Sequence, residues 1–183
     1  MIIVEGPDGS GKTTLVKKLE KQLGITQQPR AVSSAAEKLK PIGDYVEEEL
    51  AKGFGLRLYD RFALISSPMY VALPNPTFSE QMLDLVWLGS AWRRFRAIDP
   101  VVIVCLPELD EVAHNVLRDS TSQVVWPYWE TIYWQYHNWL AMNLENTSVL
   151  HYNYTLDGQP RAFQEQRLNG LLAWAQGRVK VGR

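Results

Sequence analysis

Only one cysteine stands among the 183 residues, so no disulfide can close within the chain. That residue, Cys105, sits in the apolar run Val101-Val102-Ile103-Val104-Cys105-Leu106. The run reads as a buried strand in which the thiol is a small core hydrophobe. No apolar run in the sequence approaches the roughly 20 residues that a membrane-spanning helix needs, so no membrane partner is expected. An excess of positive charge is missing too: 19 Lys and Arg against 20 Asp and Glu give a formal net charge of -1. Broad binding to nucleic acid requires many phosphate-neutralising cations, and stable nucleic-acid binding is therefore not expected. His114, His137 and His151 are scattered without ligand spacing or a cysteine pair, which gives them no metal role. No repeat, linker or composition break marks a second domain. The expectation is a single domain over residues 1–183, long enough to bury a full core. Met1 leads straight into Ile2-Ile3-Val4 without a signal-peptide pattern, and a cytoplasmic protein is expected.

What is present is an alternation of short apolar runs and helical patterns, the mark of an α/β domain with a parallel sheet. The first strand is expected at Ile2 to Glu5, followed by a helix from about Gly11 to Leu23 that Gly24 stops. A weak second strand is read in residues 25–32. Capping boxes at Ser34/Glu37 and Asp44/Glu47 open helices on either side of Pro41. Residues 55–60 form a third strand. Thr77 and Glu80 cap a long helix reaching about Ala97. Residues 101–107 are the fourth strand, and Pro107 opens the next helix. A Trp- and Tyr-rich helix over about 128–144, a fifth strand in 147–155 and a last helix over about 158–176 complete the chain.

Between the first strand and its helix lies Gly6-Pro7-Asp8-Gly9-Ser10-Gly11-Lys12-Thr13, a full match to G-x-x-x-x-G-K-[ST]. Glycines let the backbone curl until successive N–H groups face an anion, and the helix start adds its positive dipole end. Gly6, Asp8, Gly9, Ser10, Gly11, Lys12, Thr13 and Thr14 are the expected ATP-binding residues. Lys12 reaches the β- and γ-phosphates, and the Thr13 hydroxyl ligates Mg²⁺. A guanine-reading N-K-x-D motif is absent, and the short chain favours a kinase over a switch or a motor.

The third strand ends in Asp60-Arg61-Phe62. A carboxylate at that strand end beside the loop can hold Mg²⁺ through water or take the acceptor's proton, and the adjacent Arg can fork onto a phosphate. Here the sequence resembles the thymidylate kinases and their smaller viral relatives. Residues 5–15, EGPDGSGKTTL, look like that family's loop, and Asp60-Arg61-Phe62 looks like its D-R-[YFH] motif, with Ser66, Ser67 and Tyr70 following. The resemblance implies a three-layer P-loop NTPase fold, α/β, with a five-stranded parallel sheet flanked by helices and a short lid over about 118–127. It implies ATP and Mg²⁺ as cofactors and small nucleotides as the molecules bound. A homodimer is possible, and the cytoplasm is that of the host if the source is viral. Asp8 would bond the acceptor's 3′-hydroxyl, Arg61 its α-phosphate, and Tyr70 would pack where a 2′-hydroxyl would go.

The chain departs from that family in three places. Gln27-Gln28-Pro29-Arg30 replaces R-E-P, leaving Arg30 as the loose stand-in. The stretch before Asp60 is short. No Lys or Arg occurs between Arg118 and Arg161, so the lid is neutral. The candidate catalytic set is Lys12, Asp60, Arg61 and Arg118. The candidate acceptor set is Asp8, Arg30, Asp60, Arg61, Ser66, Tyr70 and Arg93, the last drawn from the cluster Arg93, Arg94 and Arg96. Thr13 and, through water, Asp60 are the Mg²⁺ candidates. Trp87 or Phe78 is a candidate wall for a nucleobase slot, while the aromatic residues of 126–140 read as packing. The expected reaction is phosphorylation of a deoxynucleoside monophosphate, dTMP or a close analogue. The alternatives are a deoxynucleoside or modified-nucleotide kinase, and a non-catalytic nucleotide-binding regulator.

Overall fold

The computed structural model describes residues 1–29, 42–70, 85–118, 125–143, 145–146, 148–155, 165–166, 168–170, 172–173 and 176–177. Four strands, β1 (Ile2–Glu5), β2 (Leu58–Asp60), β3 (Val101–Cys105) and β4 (Val149–Tyr152), pair in parallel in the order β2-β1-β3-β4. Six helices accompany them: α1 (Lys12–Leu23), α2 (Ile42–Ala51), α3 (Ala63–Met69), α4 (Leu85–Ile98), α5 (Leu109–Arg118) and α6 (Trp129–Asn143). A 3-10 turn, Trp126–Tyr128, leads into α6.

The weak second strand expected over 25–32 does not form a strand among its described residues, 25–29. Residues 25–29 contribute one isolated parallel bridge, Gln27 with Leu58, and the Gln28 N–H donates to the Leu58 carbonyl at 2.7 Å. Gln27 and Gln28 offer no apolar side chain to either face of the sheet, and Pro29 has no N–H to continue the ladder. The described sheet therefore has four strands. The Ser34 helix, the Thr77/Glu80 start of α4, lid residues 119–124 and Arg30 lie outside the described residues. Helical residues at 165–166, 168–170, 172–173 and 176–177 fall where the last helix is expected, with Leu168 and Leu172 buried.

Strand residues alternate between two apolar layers. Ile3, Val102 and Val104 join Tyr59, Phe62, Phe95, Ile132 and Tyr136 on one face. Ile2, Val4, Val101, Ile103 and Cys105 join Leu15, Val16, Leu19 and Leu168 on the other. Burial on both faces explains why these strands read as continuous apolar runs. The chain leaves β1 toward β2 on one side and β3 on the other, so the carboxyl ends of β1 and β3 flank a topological switch point. Ligands of open α/β sheets lie at such points.

Candidate active site

The loop between β1 and α1 occupies that switch point. Gly6 has φ +139°, and a Cβ added there would stand 2.2 Å from the Cys105 carbonyl oxygen of the neighbouring strand. Gly11 caps α1 at φ +79°, and a Cβ there would meet the Tyr154 ring at 2.9 Å. These positions hold glycine because backbone runs against backbone or ring with no room for a side chain. From α5, the Asn115 side-chain amide donates to the Gly9 carbonyl at 3.0 Å and fastens the loop from outside. Ser10 is buried, while Thr13 and Thr14 are exposed in the first turn of α1. The first N–H groups of a helix lack intrahelical acceptors, which makes this turn a seat for an anion.

Lys12 is buried and folds back into its own loop, where Nζ donates to the Pro7 carbonyl and contacts Ser10 Oγ at 3.5 Å. Burial, with repulsion from Arg61, pushes its ammonium pKa down to about 8, against the attraction of Asp8 and Asp60.

Opposite Lys12 stands a second cluster. Arg61 Nη2 donates to Asp8 Oδ1 at 2.8 Å, and the Tyr70 hydroxyl donates to Asp8 Oδ2 at 2.9 Å. The guanidinium carbon lies 4.7 Å from the Tyr70 ring centroid, a cation–π contact. Burial opposes charge on Asp8, but the Arg61 and Lys12 cations outweigh it, with the hydrogen bonds from Arg61 and Tyr70, and hold the carboxyl at about 2. Arg61 has φ +69°, the left-handed region that costs a side-chain-bearing residue energy and that functional turns often hold. Its N–H donates to the Val4 carbonyl at 2.9 Å, and Nη2 also points to the Gly6 carbonyl at 3.4 Å. Asp60 is buried at the carboxyl end of β2, in register with Val4.

The structure thus brings Asp8, Lys12, Asp60, Arg61 and Tyr70 together. Of the other candidates among the described residues, Ser66, Arg93 and Arg118 have no hydrogen bond to this group. Ser66 is buried, and its hydroxyl donates to the Phe62 carbonyl within α3. Arg93 is exposed on α4; two residues beyond the buried Ala91, it sits about 200° round the helix from the core face. Arg94 is bound to Glu47 of α2, which also accepts the Trp87 indole N–H at 2.9 Å, so Trp87 packs between α2 and α4. Arg118 ends α5 exposed. Arg93 and Arg118 enter none of the hydrogen bonds around Asp8 among the described residues.

Three further residues belong to this region. Asn115 holds the loop as described above. Glu5, the last residue of β1, is fully buried: Oε1 accepts the Phe62 N–H at 2.7 Å and Oε2 accepts the Tyr136 hydroxyl at 2.9 Å. Burial pushes its carboxyl up to about 7, against the Phe62 N–H, Arg61, the Tyr136 hydroxyl and Lys12. Both Glu5 oxygens are thus engaged by groups of the chain itself. The Tyr136 ring in turn meets the Tyr70 ring edge-on at 6.4 Å.

No protein-family model and no curated protein sequence matches the chain. Among solved structures, the Bacillus subtilis YorR protein in complex with phosphorylated GDP superposes with a TM-score of 0.62 at 17% identity, covering 97% of both chains. Deoxyadenosine kinase from M. mycoides with bound dATP gives a TM-score of 0.53 at 16% identity, covering 93% of this chain and 98% of that one. The same enzyme with bound dCTP gives 0.51 at 17% identity, covering 94% and 100%. The chain shares with these structures an α/β fold in which helices flank a parallel sheet. At these identities the likeness is one of fold, and the site must be read from its own residues. Among the described residues no three or more His, Cys, Asp or Glu side chains gather into a metal cage, and no helix is long and apolar enough to cross a membrane.

Proposed function

We propose that the chain is an ATP- and Mg²⁺-dependent kinase that converts a deoxynucleoside monophosphate, dTMP or a close analogue, to the diphosphate. The observation that carries this reading is the Asp8–Arg61–Tyr70 cluster, near enough to Lys12 for Arg61 and Asp8 to act on its ammonium. A loop that bound only one nucleotide would have no use for a second cation, a hydrogen-bonding carboxylate and an aromatic face on its far side. Solved structures with the same fold include a deoxynucleoside kinase. That likeness supports the phosphotransferase class and leaves the acceptor to be argued from Arg61.

The residues present fit both cofactors. The glycine cradle has no room for side chains, Lys12 lies inside it, and Thr13 with buried Asp60 provides the oxygens that would hold Mg²⁺, directly and through water. When bound, MgATP supplies the phosphoryl group and the ion's share of charge neutralisation. Lys12 leaves Pro7 and Ser10 to engage the β- and γ-phosphates. Arg61 turns part of its guanidinium fork from Asp8 to the acceptor phosphate and aligns the attacking oxygen. Asp8 bonds the acceptor's sugar hydroxyl, and the Tyr70 face sits below the sugar. Catalysis is then positioning and charge neutralisation. In this reading Arg118 and Arg93 act only if they reach the nucleotides from their exposed places, and Arg30 remains a candidate acceptor ligand.

The deciding experiment is ADP release measured across deoxynucleoside monophosphates, ribonucleoside monophosphates and nucleosides. Stimulation by a deoxynucleoside monophosphate is expected. Stimulation by nucleosides alone shifts the reading to a nucleoside kinase, and no acceptor-dependent ADP leaves a non-catalytic binder. Two more results are expected. Asp8→Ala weakens the acceptor side, in KM or kcat, by about tenfold more than it weakens ATP binding, because it removes a bond to the sugar and leaves the cradle intact. Equal loss on both sides in calorimetric and steady-state measurements counts against the assignment. Binding of MgATP near pH 8 takes up protons, since phosphates favour the ammonium form of a Lys12 that is half-neutral there. Affinity therefore falls as pH rises through 8. Calorimetry in buffers of different ionisation enthalpy reads the uptake directly, and no buffer dependence would contradict it.

A further inference from the structure

Five side chains and one backbone N–H, from five segments, form a closed circuit around the site. Glu5 of β1 accepts the Phe62 N–H at 2.7 Å. Phe62 follows Arg61, whose Nη2 reaches Asp8 at 2.8 Å. Asp8 accepts the Tyr70 hydroxyl at 2.9 Å, and the Tyr70 ring meets the Tyr136 ring at 6.4 Å. Tyr136, on α6, donates back to Glu5 at 2.9 Å. Within the circuit, Glu5 joins the strand that launches the phosphate-binding loop to the turn that carries Arg61 and, through Tyr136, to the ring that backs Tyr70. The turn needs such a hold. Arg61 is in the left-handed region at φ +69°, and the N–H groups that bracket it are anchored only to β1: Arg61 N–H on the Val4 carbonyl and Phe62 N–H on the Glu5 carboxyl. Phe62 is fully buried, so water cannot replace a lost acceptor.

We propose that Glu5 is a positioning residue, which through the Phe62 N–H and the Tyr136 hydroxyl holds Arg61 and Tyr70 in the geometry that receives the acceptor nucleotide. The inference rests on the proposed kinase reading for what binds, but the positioning itself is a property of the chain. A structural acid in the core would serve overall stability alone. A positioning acid sets acceptor affinity apart from donor affinity, and it is replaced by its amide, because a Gln oxygen still accepts from Phe62 and its NH₂ can donate to the Tyr136 oxygen.

The test uses the full chain as Glu5→Ala, Glu5→Gln and Tyr136→Phe. Calorimetry measures binding of dTMP and, separately, of a non-hydrolysable ATP analogue with Mg²⁺; amide NMR follows Arg61 and Phe62. Glu5→Ala is expected to weaken dTMP by about tenfold or more while the ATP analogue stays within about threefold, the size expected when a buried donor loses its acceptor. Glu5→Gln recovers dTMP affinity to within about threefold of the parent chain. The Phe62 amide proton moves upfield in Glu5→Ala and keeps most of its shift in Glu5→Gln. If Glu5→Ala fails to fold, Tyr136→Phe decides: it keeps the ring against Tyr70, removes one bond to Glu5, and is expected to weaken dTMP about threefold or more with the ATP analogue unchanged. Unchanged dTMP affinity in Glu5→Ala or in Tyr136→Phe overturns the proposal, as does equal loss of both ligands or a Glu5→Gln as damaged as Glu5→Ala. If the parent chain binds no deoxynucleoside monophosphate, the kinase reading fails. The Arg61 and Phe62 amide shifts then decide the positioning alone, with unmoved shifts in Glu5→Ala overturning it.

Discussion

Under the kinase reading proposed above, replacing Arg61 with Ala is expected to lower kcat/KM for the deoxynucleoside monophosphate by about a thousandfold or more, within the range found when an arginine that meets transferring phosphoryl charge is removed. Two effects add. The acceptor phosphate loses a fork of charge-assisted hydrogen bonds. Asp8, held at about 2 in part by Arg61, remains ionised beside Tyr70 and Lys12 and repels the incoming phosphate. Arg61→Lys keeps the charge but not the fork and falls between the two. Donor binding is expected to change by less, about threefold, since the main Arg61 bond is to the Asp8 side chain at 2.8 Å and its contact with the loop backbone at the Gly6 carbonyl is longer, 3.4 Å. Steady-state ADP release with the acceptor varied at saturating ATP reads the loss. Turnover within about tenfold of the parent chain removes Arg61 from the acceptor site.

Lys12→Ala is the second large effect. Expected is a loss of about a hundredfold or more in kcat/KM, because no other ammonium among the described residues sits inside the cradle to meet the β- and γ-phosphates. Its consequence for stability runs the other way. A lysine whose folded pKa lies near 8 instead of 10.5 is penalised in the folded state at pH 7 by about 3 kcal/mol. Removing it ends that penalty, while the cavity left behind costs about 2 kcal/mol or more. The two nearly offset, so thermal unfolding at pH 7 should shift by only a few degrees while activity collapses. The proton uptake on MgATP binding near pH 8 disappears in the same variant. A variant that loses its fold along with its activity would show that Lys12 serves the loop's structure before its chemistry.

The glycine-rich loop of residues 6–13 was legible because its residues are contiguous and match one local pattern. Spacing alone names Gly6, Gly11, Lys12 and Thr13, and the fold sets them at the switch point between β1 and β3. Asp60 and Arg61 were legible because they end a recognisable strand beside that loop. The five-stranded sheet was overread. Residues 25–29 carry too little apolar surface to join the layers, and they make one bridge in place of a ladder. The arginine cluster at the end of α4 was ambiguous for a different reason. Charge at a helix end says nothing of what faces it, and Glu47, 47 residues earlier, takes Arg94.

Glu5 and Tyr136 lay beyond what linear reading reaches. A glutamate at the end of an apolar strand looks like the strand's polar limit, and Tyr136 is one of several aromatics on a helix that is apolar on more than one side. Their pairing spans 131 residues. It exists because the sheet places β1 centrally and packs α6 over its carboxyl end. By itself the sequence determined the glycine-rich turn between the first strand and the first helix, since a run of eight residues encodes it locally. Only the tertiary structure decided that Asp8, Arg61 and Tyr70 meet opposite Lys12, and that a buried carboxylate braces them. Burial and long-range hydrogen bonds are set by which faces the layers close upon, and no local pattern carries that information.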